Sequence, residues 1–505
     1  MNTNLLDRVI GYVNPEAGLK RLQMRAASEQ IREYNATTTG RRRGNLRNRN
    51  TSAAREVSKA ADKLAGVSQE LVRNNPLAQR IKMILASNVA GDGIRVDITG
   101  SNKRVNEDFN NYVDGWANST ACDFDGHYNL FGLQWLMVAT IVESGGVLVR
   151  FHINNAARYP LSMQLIEQTY LDTTMDTQND GAGGQIIDGV QYNATGQITH
   201  YHIRIDNNGT NTDGIPTRRS YKRGEEMVHV FRKERPGQHL GVSWLAQVAT
   251  HLDRYDTLQD AKVTQQQIAA CLAVIVTEGQ KPMGTPTSAP MIDRIEPAMI
   301  EYVPDGTTVT TVTPPRADDA ANFITELKND IAVGVGLNYQ QLTGDYSKFN
   351  FASGRMGKIE FNLMLDYAQK FMLLPALNTV MDKLFSIYQL QAGTNARIKA
   401  EWVFPPRAAV DPREEVETVS AKVRSALMTP QTAAKMFGTK LENVVTGWND
   451  ALTIMGDLSF DIRPDQFSSA GNQLNSDDAA SSNSERRPTG TQNDNDNSND
   501  NNNDN

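Results

Sequence analysis

Ser243–Ala270 reads SWLAQVATHLDRYDTLQDAKVTQQQIAA. Leu245, Val248, Leu252, Tyr255, Leu258, Ala261, Val263 and Ile268 recur at helical spacing, and Asp253, Arg254, Asp256, Gln259, Asp260, Lys262 and Gln265–Gln267 fill the other faces. The pattern predicts one helix capped by Ser243, roughly 40 Å long. So long and polar a helix needs neighbours to cover its narrow apolar stripe. It is either an ordinary core helix or one stave of a bundle or ring.

Working outward, CLAVIVTEG (271–279) reads as a strand and Gln280–Pro290 as a loop rich in Pro, Gly and Ser. MIEYVPDGTTVTTVTPP (299–315) then reads as a hairpin turning at Pro304-Asp305-Gly306. A second helix, Asp318–Leu337, places Phe323, Ile324, Leu327, Ile331 and Val335 at helical spacing. Helix, small β module, helix is the central architecture. TGDYSKFNFASGR (343–355) follows as a loop, then a long helix over Met356–Leu390 kinked or interrupted at Pro375, and a strand at Trp402–Pro406.

Upstream, helices are predicted over Ala53–Val89, with Pro76 in a first turn and Asn74 or Asn75 as its cap, and over Asn102–Trp116 and 130–143. Strands are predicted at GIRVDITG (93–100), 146–153, Leu161–Ile166, Ile186–Tyr192, Gln197–Ile205 and Glu226–Phe231. The body is therefore α+β with an antiparallel sheet. Two or three short helices occupy 411–450, and beyond about Phe467 the Asn/Asp/Ser-rich chain has almost nothing to bury and reads as disordered.

Composition narrows the function classes. The 505 residues carry 51 Lys/Arg against 58 Asp/Glu, a formal net charge of −7. Residues 1–55 are net +7, with Arg41, Arg42, Arg43, Arg47 and Arg49 in one cluster, whereas 461–505 are net −6. A tight, non-specific nucleic-acid binder carries a global basic excess, so that class is excluded. The basic arm is either a solvated segment or an electrostatic contact to DNA or an acidic neighbour. Two cysteines, Cys122 and Cys271, exclude a disulfide framework and a cysteine zinc module. No apolar run approaches the roughly 20 residues that cross a bilayer, and no signal peptide is expected.

Catalytic motifs do not emerge. Gly354-Arg355-Met356-Gly357-Lys358-Ile359 has the wrong spacing for a P-loop and lacks the magnesium-binding hydroxyl. The VGVG at Val333–Gly336 sits in helix-periodic sequence and marks a hinge or close packing. His200 and His202 share one strand face without a third metal ligand nearby. No catalytic residue, metal or cofactor is expected.

Four segments in order resemble the lambda-like portal family of tailed bacteriophages. They are ELVRNNPLAQRIKMILASNVAGDGI (Glu70–Ile94), MVHVFRKERPGQHLGVSWLAQVATHLDRYDTLQDA (Met227–Ala261), GVGLNYQQLTGDYSKFNFASGR (Gly334–Arg355) and FPPRAAVDPREEVETVSAKVRSALMT (Phe404–Thr429). The resemblance implies a non-enzymatic portal fold that forms a ring, typically of twelve subunits, at one capsid vertex. By position, 57–242 would be the wing, 243–270 and 317–342 the stem helices and 271–316 the clip. Residues 343–355 would be the tunnel loop, 356–410 the long wing helix and return strand, and 411–460 the crown. A basic arm (1–56) and an acidic tail (461–505) flank them. The implied partners are double-stranded DNA in transit, the terminase large subunit, major capsid and scaffolding proteins, and later a head-tail adaptor, in a virion assembled in the host cytoplasm.

Within the tunnel loop, Tyr346, Ser347, Lys348, Phe349, Asn350 and Phe351 are the candidate channel residues. Tyr346, Phe349 and Phe351 either project towards DNA or pack on the long wing helix. A packaging nuclease or NTPase and a shorter head-to-tail connector are the competing classes; the missing P-loop argues against the first and the chain length against the second.

Overall fold

The computed structural model describes residues 51–58, 60–100, 102–177, 183–205, 217–270, 274–278, 307–311, 318–347, 351–407 and 411–455. Arg41, Arg42, Arg43, Arg47, Arg49, Lys348, Phe349, Asn350, most of the expected clip and the acidic tail lie outside them. The chain divides into two compact units, 1–410 and 411–505.

The first unit opens with α1 (Ala53–Ser58), α2 (Ala61–Asn74) and α3 (Pro76–Ala90). The break between α2 and α3 is made by Asn75, whose side chain accepts from Ala78 N at 2.9 Å, and by Pro76 in the first turn, where its missing N–H costs nothing. After β1 (Arg95–Gly100) and α4 (Lys103–Asn118) comes α5 (Leu130–Ser144). Its sequence is apolar on nearly every face, as a helix enclosed on all sides should be. Leu133, Met137, Val138 and Ile141 are fully buried between α2, α3 and the strand that follows. The buried Gln134 satisfies the backbone of Ile94 with both amide atoms, at 2.7 and 2.9 Å.

Two antiparallel sheets follow. One has the order β3-β2-β8, from β2 (Gly146–Ile153), β3 (Leu161–Glu167) and β8 (Met227–Phe231). The other has the order β4-β5-β6-β7, from β4 (Gln185–Ile187), β5 (Val190–Tyr192), β6 (Ile198–Ile205) and β7 (Thr217–Lys222). The single strand expected at Ile186–Tyr192 is therefore a hairpin. Asp188 and Gly189 both take positive φ (49° and 76°), the geometry of a two-residue turn matched to strand twist. Asp188 tolerates it because Ser58 Oγ (2.9 Å) and His239 Nε2 (2.7 Å) hold its carboxylate.

Next come α6 (Ala249–Ala270), β9 (Val274–Glu278), β10 (Thr307–Thr311) and α7 (Asp318–Gly334), with β9 and β10 paired antiparallel. The helix–β–helix order expected from the sequence is present, and α6 packs on α7. For the predicted hairpin at 299–315, the second arm pairs with β9, and the first arm lies outside the described residues. A Cβ at Gly334 would overlap Val248 Cγ1, so the VGVG segment serves close packing and then a turn at Gly336 (φ 75°).

The unit closes with α8 (Tyr339–Thr343), α9 (Phe351–Tyr367), a π-helical turn (Ala368–Leu373), α10 (Leu374–Ala392) and β11 (Ile398–Val403). Pro375 stands in the first turn of α10, directly after the π turn, where the expected kink or interruption falls; its missing N–H leaves no donor for the preceding turn, which widens to the π form. The strand expected at Trp402–Pro406 lies earlier, because β11 pairs antiparallel with β1 from Ile398↔Gly100 to Val403↔Arg95. The second unit holds α11 (Pro412–Arg424), α12 (Pro430–Met436) and α13 (Leu441–Met455). Asp411 and Thr429 cap α11 and α12 through their side-chain oxygens.

Candidate functional site

Both ends of the segment expected as a loop, 343–355, are helical. Thr343 ends α8 and Phe351–Arg355 are already the first turns of α9. Ser353 and Gly354 look like turn formers, yet both lie in the helix, and at Gly357, within the expected long helix, a Cβ would overlap the Asn338 amide. At that position glycine allows one helix to approach another and does not break it. The described loop residues are ordered by local bonds: Gly344 takes φ 75°, Asp345 N donates to Thr343 Oγ1 (3.2 Å), and Ser347 N donates to Asp345 Oδ1 (3.0 Å). Tyr346 is 56 % exposed. Of the six candidate channel residues, only Tyr346 and Ser347 have described side chains, and only the backbone of Phe351 is described.

Behind the loop, α3, α8, α9 and Pro405-Pro406-Arg407 enclose a cleft of about 360 Å³. Asn88, Asn338, Gln341, Tyr346, Lys358 and Arg407 line it, and no acidic residue is among its described lining. Arg80 Nε donates to Gln341 O at 3.1 Å, tying α8 to α3. Arg407 donates to Asp366 Oδ1 (2.9 Å) and Gln369 Oε1 (2.7 Å), and Gln369 donates to Val89 O (2.7 Å). Partial burial pushes the Asp366 carboxyl up, but hydrogen bonds from Lys370 and Arg407 outweigh it and leave the group below its ordinary value. The π turn is thereby fixed to α3 from one side. Sequence reasoning did not single out Arg407, Gln369 or Asp366; no local pattern signals partnerships across 38 and 41 residues, or 280 for Gln369 and Val89.

The long helix α6 is set at its start by a second cluster. It begins at Ala249, not at Ser243, because residues 241–248 are docked as turns on the end of α5. Ser243 Oγ donates to Val142 O (2.9 Å) and Trp244 N donates to the same carbonyl (3.1 Å). Gln168 clamps Gly241, accepting from its N–H at 2.6 Å and donating to its carbonyl at 3.0 Å. The same Gln168 Oε1 takes a bond from His229 Nε2 (3.0 Å), which assigns the proton to Nε2. Burial, then the charges of His239 and Arg223, push His229 down to about 3.

A pH dependence follows. Below the ordinary histidine value of 6.5, the unfolded chain takes up a proton that buried His229 refuses until about pH 3. The stability associated with neutral His229 is complete above pH 6.5 and is lost progressively as pH falls towards 3. Urea midpoints of wild type and His229→Gln, compared from pH 7 to pH 4, should converge on acidification. A constant gap would show that His229 does not contribute to acid sensitivity.

His200 and His202 share one face of β6, where His202 Nε2 meets Gln191 Oε1 at 3.2 Å. Among the described residues, no group of three or more His, Cys, Asp or Glu is placed to hold a metal. The P-loop-like stretch lies inside α9. No helix among the described residues is long and apolar enough to cross a membrane.

Comparison with known proteins places these features in a family. Residues 39–369 match the family model described as phage portal protein, lambda family. The probable portal protein of Halomonas phage phiHAP-1 is 23 % identical over 303 residues, 58 % of this chain and 56 % of that protein. The chain thus spans a little over half the length of that relative. The neck of a native gene transfer agent particle computed with C12 symmetry is similar at 14 % identity and a TM-score of 0.44, covering 74 % of this chain and 93 % of that one. A HK97 family phage portal protein from Corynebacterium diphtheriae is similar at 10 % identity and a TM-score of 0.31, covering 58 % and 84 %. At those scores the structural likeness is loose, whereas the family model covers well over half of the sequence. This chain belongs to the lambda family of phage portal proteins.

Proposed function

We propose that copies of this chain close into a ring of twelve around an axial channel at one capsid vertex, through which double-stranded DNA is packaged and later ejected. Membership of the portal family across residues 39–369 carries the proposal. In this scheme α6 and α7 are the stem, the segment between them is the clip that meets the terminase and then head-tail adaptor proteins, and 411–460 is the crown. Residues 57–242 and 356–410 are the wing, in contact with capsid and scaffolding proteins, and assembly takes place in the host cytoplasm before the ring becomes part of the virion. No catalytic step is assigned to the chain. Duplex DNA carries one charge per about 1.7 Å, and a strongly basic lumen would hold it. A body with a modest acidic excess suits passage better than grip.

End-on electron microscopy of the purified chain tests this. Closed rings with a channel wide enough for duplex DNA are expected; particles without an axial channel would refute the proposal. The segment 343–355 is assigned as the tunnel loop, with Lys348 meeting phosphate and the Tyr346, Phe349 and Phe351 rings alongside. Lys348→Ala combined with Phe349→Ala should leave rings intact and reduce the DNA packaged or retained. Normal packaging and retention by the double variant would remove the loop from the DNA path.

A further inference from the structure

One face of α9 and the π turn is apolar and uncovered. Met356 (64 % exposed), Ile359 (50 %), Leu363 (66 %), Tyr367 (41 %) and Phe371 (71 %) follow one another at spacings of three and four, which aligns them along one stripe. The opposite stripe, Phe361, Leu365, Ala368 and Met372, is buried in the core. The helix is thus apolar on two faces and satisfied on one. Tyr367 and Phe371 lie side by side with ring centroids 5.7 Å apart, and the wide turn at 368–373 keeps Phe371 on the stripe.

We propose that this stripe is where one copy of the chain packs against the next, an inference that rests on the ring reading above. Its dimensions fit. The stripe is about 22 Å long and offers on the order of 500 Å² of apolar surface, the size of the largest patch on a typical monomer, which is often functional. A standard interface takes about 800 Å² from each partner, and the interfaces of identical chains are about 65 % apolar. Glu360 and Lys370 fall on the same face at the same spacings, so it carries charges of both signs among its apolar residues, as contacts between protein chains do; a lipid surface or a duplex would call for cations alone. In a closed ring the contact is head to tail, so the stripe meets a different surface of the adjacent copy.

One rival occupant lies within the chain. Tyr367 Oη donates to Lys233 O (3.3 Å), and Arg235 donates to Thr51 O (3.2 Å), so the segment preceding Thr51 starts near the Tyr367 end of the stripe. The test is built to separate the two. Full-length wild type and Leu363→Glu/Phe371→Glu are compared by sedimentation velocity and end-on imaging, with circular dichroism and thermal unfolding as a check on folding. Loss of closed rings with unchanged unfolding is expected, while Leu363→Met/Phe371→Leu keeps them. Closed rings in the charged double variant would overturn the inference and leave the ring reading standing; a wild type without rings would overturn the ring reading first. Should the charged variant fold poorly, L363C in a Cys271→Ser background decides by maleimide labelling. Protection in rings and reactivity in dissociated subunits supports the contact between copies. Equal labelling in both states overturns it, as does protection in single subunits that disappears when residues 1–50 are removed.

Discussion

Trp116→Ala is expected to cost the first unit about 3–5 kcal/mol of stability, the range for deleting a large buried aromatic side chain. The indole is fully buried, and its Nε1 donates to Leu161 O at 2.8 Å. Two losses combine: the packing between α4 and the first strands, and the partner of a carbonyl at the start of β3. Trp116→Phe separates them, since it keeps most of the volume and strands the Leu161 carbonyl, for a cost of about 1–3 kcal/mol. Urea unfolding of both variants reads the difference. A Trp116→Ala loss below about 1 kcal/mol would fall outside the range for buried aromatic truncations and refute this account of the core.

Gly241→Ala should be comparably severe and should also disturb the long helix. An added Cβ at residue 241 would overlap the Gly145 carbonyl oxygen and crowd Phe231 Cβ at 2.7 Å. The obstacle is backbone, and Gly145 itself sits at φ 91°, so neither side has a rotamer to give way. Relief requires separating the two segments, which breaks the Gln168 clamp on Gly241. A cost of about 3 kcal/mol, the upper part of the overpacking range, is expected. Because residues 241–248 set the start of α6, ring yield should fall more than it does for a variant of equal stability elsewhere, such as one at Trp116. Thermal unfolding paired with end-on imaging makes that comparison; an equal effect on rings at equal stability would show that the clamp only stabilises.

The parts of this fold that the chain announces are those decided within a few residues. The apolar run of 130–143, the Asn75-Pro76 break and the Val-rich strand sequence at 146–153 each carry their signal locally, and the structure has them. The loop expected over 343–355 ends earlier in the structure, since Phe351–Arg355 are helical: Ser353 and Gly354 are turn formers by residue type, and nothing within that short stretch shows that the helix already runs through them. The start of α6 was misread for a related reason: Leu245 and Val248 are buried as a helix would bury them, but in turns held by Val142 and Gln168.

The candidate site divides the same way. Sequence alone singled out the helix–β–helix core, the family segments and the aromatic loop at 343–355. Tertiary structure alone decided that Arg407 meets Asp366 and Gln369, that β11 pairs with β1, and that the apolar positions of α9 fall on two faces of which one is uncovered. Periodicity reports that a side chain avoids water, and every residue of a stripe carries that information in itself. Which surface shelters it depends on residues far along the chain or on another copy, and short-range spacing holds no record of either.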